Sequence, residues 1–186
     1  MRFIKIYIIL LFIISNFFLA GSTSIFELSL QELSLSAEKI VQARVTAVVS
    51  KWNKDSSAIF TYIRMNIVDD LIGGDKDNEI IIRQPGGIVG NTSLFVEGIS
   101  NYIIGEEDVL FLLKDKIDKG TFRTLGMYQG KYKIFIDNKN VKRVKQDNSN
   151  TARFYRRRGR GSYLETGNNK TLDDFKSSIL QYINTK

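Results

Sequence analysis

The chain has no cysteine, no histidine and a single proline, Pro85. Without cysteine there are no disulfides, no thiolate ligands and no Cys-His nucleophile. Without histidine there is no Ser-His-Asp triad, no imidazole metal site and no imidazole titrating near neutrality. The chain is therefore read as non-enzymatic, with no catalytic residues, no resident metal and no cofactor expected. What it does have, over 186 residues, is 43% hydrophobic and 25% charged side chains. That is the composition of a globular chain with enough apolar material for a sizeable core, and the length suits one domain.

The start of the chain is an address. Arg2 and Lys5 precede an apolar run from Ile6 to Ile14 that resumes from Phe17 to Ala20, the pattern of a secretory signal. Ala20 and Ser22 suit a signal peptidase, so residues 1–22 are read as a signal peptide, with cleavage after Ser22, or else after Ala20. An uncleaved anchor is the alternative, but Ile6 to Ala20 is shorter than the ~20 residues a span needs. The absence of cysteine after the run excludes a lipid-anchored lipoprotein. The expected product is a secreted or periplasmic protein of one domain, 23–186, whose core alone holds the fold.

Within that domain, Ser29 and Glu32 have capping-box spacing, and Leu30, Leu33 and Ala37 recur at helical intervals. From Val41 the period becomes two: Val41, Ala43, Val45, Ala47 and Val49 alternate with polar residues up to Trp52, as in a half-buried strand. A turn at Asn53 to Ser57 leads to a second strand with Ile59, Thr61, Ile63, Met65 and Ile67 on one face. Gly73 to Asn78 is turn chemistry, Glu79 to Arg83 a third strand that stops at Pro85, and Ile88 to Gly98 a loop or an edge strand. The unbroken apolar run Val109 to Leu113 reads as a strand buried on both faces. Short strands follow at Thr121 to Gly126, Lys131 to Asp137 and Val141 to Lys145. Thr171 and Asp174 signal a capping box for a last helix with Leu172, Phe175, Ile179, Tyr182 and Ile183 as its stripe. The fold class expected is mainly β, a small barrel with a helix near each end.

The most conspicuous chemistry is basic. Lys139, Lys142, Arg143, Lys145, Arg153, Arg156, Arg157, Arg158 and Arg160 stand against Asp147 alone, a local charge of +8 in residues 139–160. The whole chain is +7, and loss of Arg2 and Lys5 leaves +5, so everything else in the mature chain sums to −3. The positive charge is thus a patch. Guanidinium forks bind phosphate and sulfate in pairs of hydrogen bonds, and Phe154 and Tyr155 between them offer stacking faces. Arg153, Tyr155, Arg156, Arg157, Arg158 and Arg160 are the candidate ligand-binding residues. An anionic polymer, lipid head groups or an acidic protein surface would satisfy them, and export argues against intracellular nucleic acid. The competing reading is a solvated loop or a processing site flanked by glycines and Asn148 to Asn150.

Other motifs carry less. Glu106, Glu107 and Asp108 are adjacent, so they point in different directions and do not make the facing pair that glycoside hydrolysis uses. Asp75, Asp77 and Glu79 alternate like a calcium loop, but Ile80 stands where its glycine belongs and no glutamate closes it. Gly86-Gly87 and Gln129-Gly130 lack phosphate-loop spacing, and their glycines are expected to allow positive φ at barrel corners. Trp52, Tyr62, Phe111 and Tyr132 are expected in the core rather than on a binding face. Asn91-Thr92-Ser93 and Asn169-Lys170-Thr171 match the glycan acceptor pattern of eukaryotic secretion.

The order of Leu30 to Leu33, Ile40-Val41 to Val45, Trp52, Tyr62, Arg83 to Gly87, Gly105-Glu106-Glu107 to Phe111-Leu112 and Gln129 to Tyr132 resembles a family of exported bacterial proteins without assigned function. More distantly, a long strand ending in Trp, an aromatic second strand and a terminal helix are similar to netrin modules and tissue inhibitors of metalloproteases. That resemblance implies a five-stranded OB barrel. The animal inhibitors act through an N-terminal cysteine, which this chain lacks, so their mechanism transfers to no residue here. The function expected is a secreted binding module with the basic segment as its recognition element. Inhibition of an exported metalloprotease, with Thr23 to Phe26 entering the cleft, is the alternative.

Overall fold

The computed structural model describes residues 25–74, 78–147, 154–155 and 167–185. A short strand β1 (Ile25–Phe26) precedes helix α1 (Leu30–Ser36). Ser29 closes a complete capping box on it, its hydroxyl accepting from Glu32 N–H while the Glu32 carboxylate accepts from Ser29 N–H at 2.9 Å. Two fourteen-residue strands follow, β2 (Lys39–Trp52) and β3 (Ile59–Ile72). Next come β4 (Glu79–Pro85), the small hairpin β5 (Gly87–Val89) and β6 (Thr92–Leu94), then β7 (Glu107–Lys114) and β8 (Phe122–Thr124). A 3-10 turn (Met127–Gly130) leads into β9 (Lys131–Ile136) and β10 (Lys142–Gln146), followed by β11 (Phe154–Tyr155) and helix α2 (Leu172–Asn184).

The sheet runs β10-β9-β7-β2-β3-β4-β8, and β8 pairs back onto β7, closing a barrel of β2, β3, β4, β8 and β7. All its pairings are antiparallel except β4 with β8. A five-stranded closed barrel with a single parallel pairing between its third and fifth strands is OB-like, as expected. Strands β9 and β10 extend the sheet beyond the barrel from β7, leaving β10 at the edge.

Strand β7 explains the two-sided burial of the apolar run. Its Leu110 and Leu112 join Val41, Ala43, Val45, Ile63, Met65 and Ile82 inside the barrel. Val109 and Phe111 face the other way and pack with Leu30 and Leu33 of α1 and Leu172, Phe175 and Ile179 of α2. A strand shared by two cores has no polar face, hence no alternation.

Several expectations are corrected by local geometry. The register passes from Val45 opposite Met65 to Ala47 opposite Arg64, so β2 has one extra residue there. This bulge reverses the strand's faces, which is why Val49 is 56% exposed instead of continuing the series Val41, Ala43, Val45. Trp52, beyond the bulge, is 38% exposed and not in the core, whereas Phe111 and Tyr132 are fully buried and Tyr62 is half-buried. The segment from Ile88 resolves into the β5–β6 hairpin. At Thr171 the hydroxyl accepts from Asp174 N–H, but the Asp174 carboxylate accepts from the Thr171 hydroxyl and not from its backbone, so only half of the capping box forms.

Gly86 and Gly87 adopt φ of 92° and 133°, as expected of corner glycines. Gly130 is different: its φ is not positive, and a Cβ there would lie 2.5 Å from the Leu125 carbonyl oxygen and 2.9 Å from that of Phe111. Close approach of backbones is the constraint at Gly130.

Candidate functional site

The basic segment begins on the β9–β10 hairpin. Lys139 lies in its turn and Lys145 on β10; both are exposed and neither forms an ion pair among the described residues. Arg143 is committed to structure. Its Nε donates to Asp137 Oδ2 at 2.6 Å and its Nη1 to the Asn169 carbonyl at 2.8 Å, while its backbone is bridged to Thr171, tying the hairpin to the start of α2. Lys142 lies 3.5 Å from Glu107 on β7. Asp147, the one acid of the segment, is 3% exposed and turned inward.

Two of the four described cations are thus partnered by acids outside the segment, Asp137 six residues away and Glu107 on another strand, while the acid counted against them is withdrawn from the surface. Tyr155 pairs through its backbone with Phe26, in a two-stranded parallel ladder of β1 with β11. Arg153, Arg156, Arg157, Arg158 and Arg160 lie outside the described residues, as does the whole of the signal region 1–22 and the Asp75 and Asp77 of the calcium-like pattern. Of the basic segment, the structure thus places Lys139, Lys142, Arg143 and Lys145 on or beside the edge strand β10.

Beneath that edge is a buried ionic group that the sequence did not single out. Lys131, at the start of β9, is 0% exposed. Its Nζ lies 3.4 Å from Asp147 Oδ2, 3.6 Å from Asp108 Oδ2 and 3.9 Å from Glu106 Oε2. It also donates to the Asn101 carbonyl and sits 4.4 Å from the centre of the Tyr102 ring. Lys133, on the next residue but one of β9, lies 3.6 Å from Glu106.

Asp108 is fully buried and neither carboxylate oxygen has a hydrogen-bond partner among the described residues. Burial pushes its carboxyl up to about 7, against the pull of Lys131 and with the nearby charges of Glu106 and Asp147 adding to the rise. Glu107 faces outward. Burial pulls it up too, but the Gln42 amide, Lys142 and Arg44 hold it below the usual range.

Period two therefore sorts the acidic triplet as expected for the neighbours, Glu107 out and Asp108 in, yet brings Glu106 and Asp108 to the same ammonium. The available signal was Lys131 itself, a charged residue between Gly130 and Tyr132 at a buried strand start. Its partners come from three separate stretches, which no spacing rule joins.

Fold and site together define an OB-like β-barrel protein with a cationic sheet edge built over a buried lysine-carboxylate network. No protein-family model matches the chain, and no curated protein shows significant similarity to it in sequence.

Proposed function

We propose that this is an exported, non-catalytic binding module that takes an anionic polymer on the β9–β10 edge and the arginine-rich segment that follows. The observation that carries the reading is the sorting of charge around β10: Lys139 in the turn before it and Lys145 on it are exposed, while Asp147 just after it is held inside by Lys131. An edge strand bearing lysines is protected from pairing with other strands, and the same lysines attract polyanions. Export rests on the basic start and apolar run of residues 1–22, and no described helix is long and apolar enough to cross a membrane.

Heparin affinity with a salt series tests the reading. Counterion release makes polyanion binding fall steeply between about 50 and 200 mM salt. The Lys139→Glu/Lys145→Glu pair and the Arg156→Ala/Arg157→Ala/Arg158→Ala triple should each elute earlier with unchanged melting temperature. Elution of both at the parent's salt overturns the proposal. Anionic vesicles and an acidic protein column run in parallel distinguish a polymer from lipid head groups and protein surfaces.

A further inference from the structure

A concavity lies where β2 and β3 run past the barrel core, and its lining includes Asn101 and Tyr102, which also contact Lys131. It has a volume of about 620 Å³ and is roofed by the β5–β6 hairpin and the chain from Phe95 to Tyr102. That is the size of ordinary small-molecule sites. Among the described residues that line it none is charged, although a quarter of the chain is. Its rim is apolar and unusually open to solvent: Ile88 is 70% exposed and Phe95 is 77% exposed.

One hydroxyl within it has capacity to spare. Thr61 Oγ1 donates to the Gly86 carbonyl at 2.7 Å, so the 2.9 Å bond between Ser50 and Thr61 has Ser50 as donor, and the lone pairs of Ser50 Oγ remain to accept. Ser100, only 4% exposed, keeps its Oγ out of contact with the cavity. The Tyr102 hydroxyl beside it is engaged with Thr124 Oγ1 at 2.9 Å.

We infer that this cavity binds an uncharged, mainly apolar small molecule that carries a hydroxyl or amide group, seated with that group toward Ser50 and its apolar body against Ile88 and Phe95. Charge is the selective feature, because an ammonium or carboxylate would lose its hydration against walls that hold no counter-charge. The guanidinium groups of Arg83 and Arg123 line a neighbouring cleft of about 210 Å³. Gln84 and Ser100, which line both, form the wall between them, with Gln84 Nε2 donating to the Ser100 carbonyl at 3.0 Å. None of the lining residues is a cation of the β9–β10 edge, so the two proposals are tested by different variants.

The test uses the mature protein and the neutral fluorophore N-phenyl-1-naphthylamine. Its fluorescence should rise on binding, and decanol and decanamide should displace it about tenfold more effectively than decanoate or decylammonium. Ile88→Asp and Phe95→Asp, both at exposed positions that leave the core intact, should each weaken binding about tenfold with the melting temperature unchanged, because each sets a charge at the rim. The Lys139→Glu/Lys145→Glu pair should bind the fluorophore like the parent. Absence of a fluorescence rise, displacement by decanoate equal to that by decanol, or unaltered binding by both rim variants overturns the assignment.

Discussion

Lys131 Nζ stands 3.6 Å from Asp108 Oδ2, and neither residue has any surface in contact with solvent. The pair is the centre of a group in which Glu106 and Asp147 bring two further carboxylates to the same ammonium. Proton uptake by Asp108 relieves that imbalance, which is the cause of its high affinity for a proton beyond burial itself.

Stability should therefore carry an unusual pH dependence. Asp108 titrates at about 7 in the folded chain against the ordinary 3.8 when unfolded, so between those values the folded state binds more protons. Its contribution is fully present below about 4 and is lost as pH rises through about 7, by up to about 1.4 kcal/mol per pH unit. Glu107, Asp115 and Asp137, held low, act with the opposite sign and lose their contribution only in acid. Denaturant titrations from pH 4 to 8 on the parent and on Asp108→Asn isolate the effect. The difference in stability between the two should change across that window, and a constant difference would sink the assignment.

Removal of the cation should be severe. Lys131→Met leaves Asp147, Asp108 and Glu106 facing an apolar side chain, and stranding buried carboxylates costs about 3–5 kcal/mol. The deficit should shrink when Asp108→Asn is added, because one stranded charge is gone. A double variant as unstable as the single change would show that Lys131 matters through packing alone.

Gly130→Ala should destabilise by about 1–3 kcal/mol or prevent folding, since the new methyl meets two backbone carbonyls that cannot swing aside. The Gly90→Ala control has open space around its Cβ and pays only for its left-handed φ of 57°. Equal melting temperatures for the two would refute the close-approach reading of Gly130.

Helix α2 should be integral to the fold. Phe175 is fully buried, edge-on to Phe111 at 6.3 Å and 4.6 Å from Tyr132 between ring centres. Phe175→Ala should cost about 3–5 kcal/mol, and a chain ending before Thr171 should melt far lower or fail to fold. A truncated chain with the parent's melting temperature would make the helix an appendage.

Much of this was legible along the chain. Alternation in Ile59 to Ile67, the unbroken run Val109 to Leu113 and the caps at Ser29 and Thr171 specify their elements because hydrophobic period and capping are local properties. The same chain also displayed the charge of residues 139–160. Tertiary structure alone decided what those charges meet. Arg143 is spent on Asp137 within the β9–β10 hairpin, whereas Lys142 meets Glu107 and Asp147 turns inward to Lys131 because the hairpin packs beside β7. Only closure could bring Glu106, Asp108, Asp147 and Tyr102 to Lys131, and only the bulge after Val45 sends Val49 to solvent. One extra residue reverses a strand's faces, and no local pattern records which partner strand will accommodate it.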